Sequence, residues 1–270
     1  MASGNYFSEI LVRRVTAFPV MGYPLLLSWR KGWVPTPKGT MEVRFGDGRT
    51  LRCKLSDGTQ LTMALGLFEP GESHLIKELL GPRDTFIDVG AHIGWFTTIA
   101  SRCVGEDGLV IACEPYPANA VALRENLVLN DARNVQLVEM ALGSHSGVLR
   151  LTGSDSGGVT ALDWPHTSRV EVSMTTLDQV AAEVEVVTLL KVDVEGWEAH
   201  VLNGGAETLA RTQHVLFEMN QFILNKAGTS SEEIYGMLQD SGFKIFVPVA
   251  QRGLRRLHRN RDVTNILASR

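Results

Sequence analysis

Cysteine is scarce in this 270-residue chain: there are three, Cys53, Cys103 and Cys113, and none lies two positions from another. So small and scattered an odd set argues against a disulfide scaffold and against a zinc ribbon. Cys113 falls in an apolar run and reads as a small buried hydrophobe. Long apolar runs are missing as well. No stretch approaches the ~20 residues needed to cross a bilayer, and no N-terminal segment has the basic, apolar and small-residue succession of a secretory leader. These absences predict a cytoplasmic protein without a membrane partner. Positive charge is not in excess either: the net charge of −4 gives no global field to gather nucleic acid. Internal repeats and low-complexity segments are absent from the sequence.

With 44% hydrophobic and 21% charged residues, the chain suits one α/β domain with additions, or two small domains. Its organising stretch is Thr85 to Ala100, TFIDVGAHIGWFTTIA. Phe86, Ile87 and Val89 make a short apolar run enclosing Asp88. Gly90 and Gly94 follow, and Trp95 opens an apolar helical segment. A strand, a glycine turn and a helix bring backbone N–H groups to a ligand, with Gly90 leaving it room to approach. A second strand, Leu109 to Cys113, ends at Glu114 about one βαβ unit later, where a carboxylate can hold both hydroxyls of a ribose.

Residues 1 to about 40 are broken by prolines and read as a cap or lid, its aromatics (Tyr6, Phe7, Phe18, Tyr23, Trp29 and Trp33) covering either a substrate pocket, their own domain or a second copy. Between Met41 and Leu65 apolar residues alternate, and Gly46-Asp47-Gly48 and Ser56-Asp57-Gly58-Thr59 read as hairpin turns between short strands. Leu75, Ile76, Leu79 and Leu80 then mark a helix. This gives an N-terminal unit over 1–80 and a main domain over 81–270. In the main domain, strands are expected at 85–89, 109–113, 135–140, 186–194, 215–217, 243–249 and 263–268. Helices lie between them, and an antiparallel insertion at about 144–176 surrounds a Gly, Ser and Asp-rich loop.

Ligands on such sheets bind beyond the carboxyl ends of the strands, where every expected parallel strand carries at least one acid. The motifs fall in order: FIDVGAHIGWFT at 86–97, CEPYPAN at 113–119 with Asn126 beyond, ALG at 141–143, TTLD at 175–178, LLKVDVEGWE at 189–198 and VLFEMN at 215–220. In this combination the chain resembles the FkbM family of S-adenosylmethionine-dependent methyltransferases. The resemblance implies a class I methyltransferase (Rossmann-like) doubly wound sheet of seven strands with the last antiparallel, and methyl transfer usually to oxygen. It implies that Asp88, Gly90, Ala91, His92 and Gly94 surround the amino-acid part of the cofactor. Glu114, with Pro115 beside it, would hold the ribose, and Glu139 to Leu142, including Met140 and Ala141, would lie near the adenine. His92 departs from the common pattern of a third glycine.

Asp193 and Glu195 end the fourth strand. Two positions apart on extended chain they point to one side, where either could take a hydroxyl proton; alternatively Glu195 caps the next helix and Asp193 holds the cofactor's amino group. No metal is required, and if one binds, Asp193, Glu195 and Glu218 are its ligands. A nicotinamide enzyme fits poorly. Glycines fall at the first and fifth positions of the turn, not the first, third and sixth, and none of the four tyrosines has a lysine four residues on. His166 is a second candidate base. The basic run Arg252 to Arg261 reads as a solvated loop or as a site for an anionic acceptor. The expected activity is O-methylation of a small molecule, a sugar or secondary metabolite in natural-product biosynthesis. The alternatives are N-methylation of an amine and a non-catalytic cofactor-binding protein.

Overall fold

A computed structural model describes Leu27 and residues 37–153, 159–160, 168–249, 253–256 and 265–270. The aromatics assigned to the lid, His166, the loop at 154–158 and most of the basic run lie outside the described residues. Strands Thr40–Arg44 (β1) and Thr50–Lys54 (β2) form an antiparallel hairpin whose alternation turns Met41, Val43, Leu51 and Cys53 inward. The second expected hairpin turn is instead a helix start. Asp57 accepts a hydrogen bond from Gln60 N at 2.9 Å and caps Gly58–Ala64 (α1). Asp-Gly suits both roles, and Leu61, Met63 and Ala64 find burial on a helix face that a third strand would have split. Pro70–Leu79 (α2) begins with proline at its first turn, where no N–H is missed, and buries Leu75 and Ile76.

The main sheet starts with Thr85–Val89 (β3), followed by Trp95–Val104 (α3), Leu109–Cys113 (β4), Pro117–Leu129 (α4) and Val135–Val138 (β5). Ala141–Leu142 (β6), Gly147–Gly153 (β7), Val159–Thr160 (β8) and Ser168–Thr175 (β9) then form a separate four-stranded sheet in the order β6-β9-β7-β8, where the insertion was expected. Leu177–Val180 (α5) starts from a capping box between Thr176 and Gln179. The wound sheet resumes with Val187–Val192 (β10), Glu198–Asn203 (α6), Ala206–Ala210 (α7), Thr212–Glu218 (β11), Gln221–Lys226 (α8) and Ser231–Asp240 (α9). It closes with Lys244–Val249 (β12), Gly253–Arg256 (β13) and Asn265–Ser269 (β14). β5, β4, β3, β10 and β11 are parallel in that order; β14 runs antiparallel between β11 and β12. All seven expected strands are present. An eighth, β13, pairs with β12 at the far edge, so Gly253–Arg256 of the basic run is strand and not the expected loop.

The strands alternate between two cores. Phe86 and Val110 face a core shared with the hairpin, α1, α2 and α3, while Ile87, Val89, Ile111 and Val192 face one shared with α6, α7 and α9. Both sheet faces are therefore covered, which is why the parallel strands are apolar with little interruption; all six residues of β10 are buried. Asn126 ties the hairpin to the glycine turn. Its Oδ1 accepts from Arg52 N at 2.7 Å and its Nδ2 donates to Ile93 O at 2.8 Å, with none of the residue exposed.

Candidate active site

The chain winds outward from β3 to β5 and then crosses to β10, so β3 and β10 are neighbours at the point where the winding reverses. This is where open α/β sheets leave a crevice beyond the strand ends. Gly90, at φ +86°, turns the chain there, and a Cβ on it would lie 1.9 Å from the carbonyl oxygen of Asp193. The neighbouring turn by itself demands the glycine, a second reason beside the room for a ligand inferred from sequence. Asp193 N in turn donates to Val89 O at 3.0 Å, closing the two turns on each other.

A cavity of about 340 Å³ opens over these turns, within the usual range for small-molecule sites. Gly90, Ala91, His92, Glu114, Pro115, Met140, Ala141, Asp193, Glu195 and Glu218 all line it. Two expected members do not. The Asp88 side chain is wholly buried beneath, accepting from Thr97 Oγ1 at 2.6 Å, with Lys191 Nζ 4.0 Å from its other oxygen. Gly94 caps α3 at φ +91° and packs on Leu123. Glu139 points outward to Arg124.

Glu114 is the best-fixed acid. Its Oε2 accepts from His92 N at 2.8 Å and its Oε1 from Tyr116 N at 2.9 Å, and 4% of it is exposed. Burial pushes its pKa up to about 7, against the pull of those two N–H groups and of the Asn119 side chain.

The β10 and β11 ends carry the other charges. Lys191, on β10, is buried at the cavity floor with Nζ 3.0 Å from Asp193 Oδ2. Burial opposes its charge, but Asp193, Asp88 and Glu69 outweigh that and raise its pKa. Carboxylate oxygens of Glu69, Asp193 and Glu218 lie within 4.8 Å of one another. Burial first, then neighbouring acids, push Glu69 up to about 8 and Glu218 and Glu195 up to about 7; Lys191 pulls each the other way.

The converging trio contains Glu69 in place of Glu195, which corrects the set inferred for a metal. The spacing argument for Glu195 also fails. β10 stops at Val192, and Glu195 sits in the following turn with left-handed backbone, φ +52°. Glu198 Oε1 accepts from Val194 N at 3.2 Å and Gly196 N at 3.1 Å in that turn.

Sequence reasoning missed Glu69 and Lys191. Glu69 precedes the proline that opens α2 and adopts φ +37°, uncommon for a residue with a side chain. Lys191 had one available signal, a lone charge inside an otherwise apolar parallel strand.

The family model described as the methyltransferase FkbM domain matches residues 88–245, more than half of the chain. Methyltransferase sdnD of Sordaria araneosa is 30% identical over 61% of this chain and 75% of its own length. Methyltransferase 1 of Beauveria bassiana is 31% identical over 46% of this chain, a match that spans 59% of that protein and so less than two thirds of it. A SAM-dependent O-methyltransferase from Thermotoga maritima is similar at 17% identity and a TM-score of 0.46, over 85% of this chain and 77% of that one. The family model's match over residues 88–245 shows that the chain belongs to the FkbM family and is an S-adenosylmethionine-dependent methyltransferase.

Proposed function

We propose that the cavity directs the methyl group of S-adenosylmethionine to a hydroxyl of a small molecule, with a sugar or a secondary metabolite as the acceptor class. The observation that carries this reading is the convergence of Glu69, Asp193 and Glu218 within 4.8 Å in a cavity that Glu195 also lines, where burial pushes Glu69 up to about 8 and Glu195 and Glu218 up to about 7. A hydroxyl must lose its proton as the new bond forms, and a base tuned close to the working pH serves that need; an amine attacks unprotonated and has no such need. Asp193 and Glu195 are the residues we assign to proton transfer.

The donor set suits the cofactor. The oxygens of Glu114 accept from two backbone N–H groups and from the Asn119 side chain, which leaves one of their four lone-pair directions for a ribose hydroxyl. The β4 and β10 ends are two strand spacings apart, about 10 Å, so the ribose site and the acid group address different parts of one ligand. Met140 and Ala141 flank the adenine, and Gly90, Ala91 and His92 the amino-acid part. S-adenosylmethionine, when bound, supplies an electrophilic methyl on a sulfonium centre. The side chains of the chain align the acceptor and take its proton. The acidic wall favours a neutral acceptor over an anionic one, since Lys191 is already engaged by Asp193.

The test is transfer of labelled methyl to matched hydroxyl- and amine-bearing acceptors by wild type and Asp193→Asn. Labelled ethers are expected, with turnover in the variant reduced roughly 100-fold or more, beyond any loss in S-adenosylhomocysteine affinity. Labelled amines alone, with turnover indifferent to Asp193→Asn, would overturn the reading.

A further inference from the structure

The His92 side chain lines the cavity, yet among the described residues neither of its buried ring nitrogens has a hydrogen-bond partner. Such atoms are rare in folded proteins, because each loses water and gains nothing in return. The backbone that carries the ring is also held in place. The backbone of His92 is left-handed at φ +52°, and its N–H is fixed on Glu114 Oε2 at 2.8 Å. A ligand held at Glu114 therefore meets the imidazole next.

The cavity's positive charge is limited. Among the described lining residues, Lys191 and His92 are the two that carry or can acquire it, and Lys191 is spent on Asp193 at 3.0 Å and Asp88 at 4.0 Å. An ammonium group entering the cavity finds Glu69, Asp193 and Glu218, whereas a carboxylate finds two lining side chains with unspent donors, His92 and the Trp197 indole, of which His92 is the one that can also acquire positive charge. We infer that the His92 imidazole holds the carboxylate of the cofactor's amino-acid part and takes up a proton from solvent as it does so. This rests on the S-adenosylmethionine reading above.

The charged groups that face the ring are Asp57 from the turn before α1, and Asp193 and Lys191 from β10 and the turn after it. Burial lowers the ring's pKa, Asp57 and Asp193 work against that, and Lys191 adds to it. A carboxylate against one nitrogen supplies the direct partner that none of these gives, and it favours the charged ring.

Calorimetric titration of the full chain in two buffers of different ionisation enthalpy tests this. The ligands are S-adenosylhomocysteine and 5′-methylthioadenosine, which keeps the nucleoside and sulfur but lacks the amino-acid part. The variant is His92→Asn, because asparagine tolerates left-handed backbone. Glu114, Glu69, Glu195 and Glu218 titrate in the same range, so the quantity read is the difference between wild type and variant. Wild type is expected to take up more protons than the variant with S-adenosylhomocysteine, and its affinity to fall more steeply as pH rises. The variant should lose about tenfold or more in that affinity and bind methylthioadenosine as wild type does. Equal losses for both ligands, no loss for either, or no difference in proton uptake would overturn the inference. Failure of folded wild type to bind both ligands would overturn the cofactor reading itself, and it shows before any variant is made.

Discussion

On the β4 side of the cavity, Glu114 is fixed by backbone N–H groups from its own neighbourhood and from the adjacent glycine turn. On the β10–β11 side, Glu69, Asp193 and Glu218 arrive from the cap and from two strand ends and depend on one buried ammonium. The first arrangement orients a carboxylate by geometry. The second holds more negative than positive charge in little water, so Glu69 and Glu218 keep protons near neutral pH. A rigid recognition group and a titratable group thus share one cavity floor.

The severest way to break this contrast is Lys191→Met. Asp88 and Asp193 lose their shared cation, and since Asp88 is wholly buried, unfolding free energy in denaturant should fall by about 3 kcal/mol or more. Adding Asp88→Asn should recover much of that, because no orphaned charge then remains. Gly90→Ala comes next. Its Cβ would press into the Asp193 carbonyl at a positive φ, and a loss of about 1–3 kcal/mol should accompany a displaced Asp193 turn and weakened S-adenosylhomocysteine binding.

Raised carboxyl pKa values on both sides of the cavity predict a pH dependence of stability. Glu69, Glu114, Glu195, Glu198 and Glu218 are all raised from 4.5 in the folded chain. Their contribution is therefore full below about pH 4.5 and is lost as pH rises through 7 to 8. His92, lowered from 6.5, acts in the opposite sense as a single group: its contribution is present above that value and lost as pH falls. The Tm of the ligand-free protein should fall between pH 5 and 8.5, and Glu218→Gln should make the fall shallower. The smallest effect is expected from Asp57→Ala, which removes the cap of α1 and should cost about 1 kcal/mol in the same denaturant assay.

The contrast also explains what could be read in advance. The parallel strands are legible because burial on two faces makes them apolar throughout, and Glu114 because it follows the glycine turn by one βαβ unit. Glu69 and Lys191 were not legible: only tertiary packing shows that a residue before α2 meets two strand ends, or that a lysine in β10 is paired. Asp57-Gly58 misled because an N-cap and a hairpin turn use the same residues. Glu195 misled because a period of two holds only while the chain stays extended, and β10 ends at Val192.

The central claim is that Glu114 anchors the cofactor in this cavity. It is met most directly by calorimetric titration of the full chain and of Glu114→Ala with S-adenosylhomocysteine, beside NAD. Micromolar-scale binding of S-adenosylhomocysteine alone, weakened at least about tenfold in the variant, is the predicted result. Equal binding by wild type and a folded Glu114→Ala protein would contradict it.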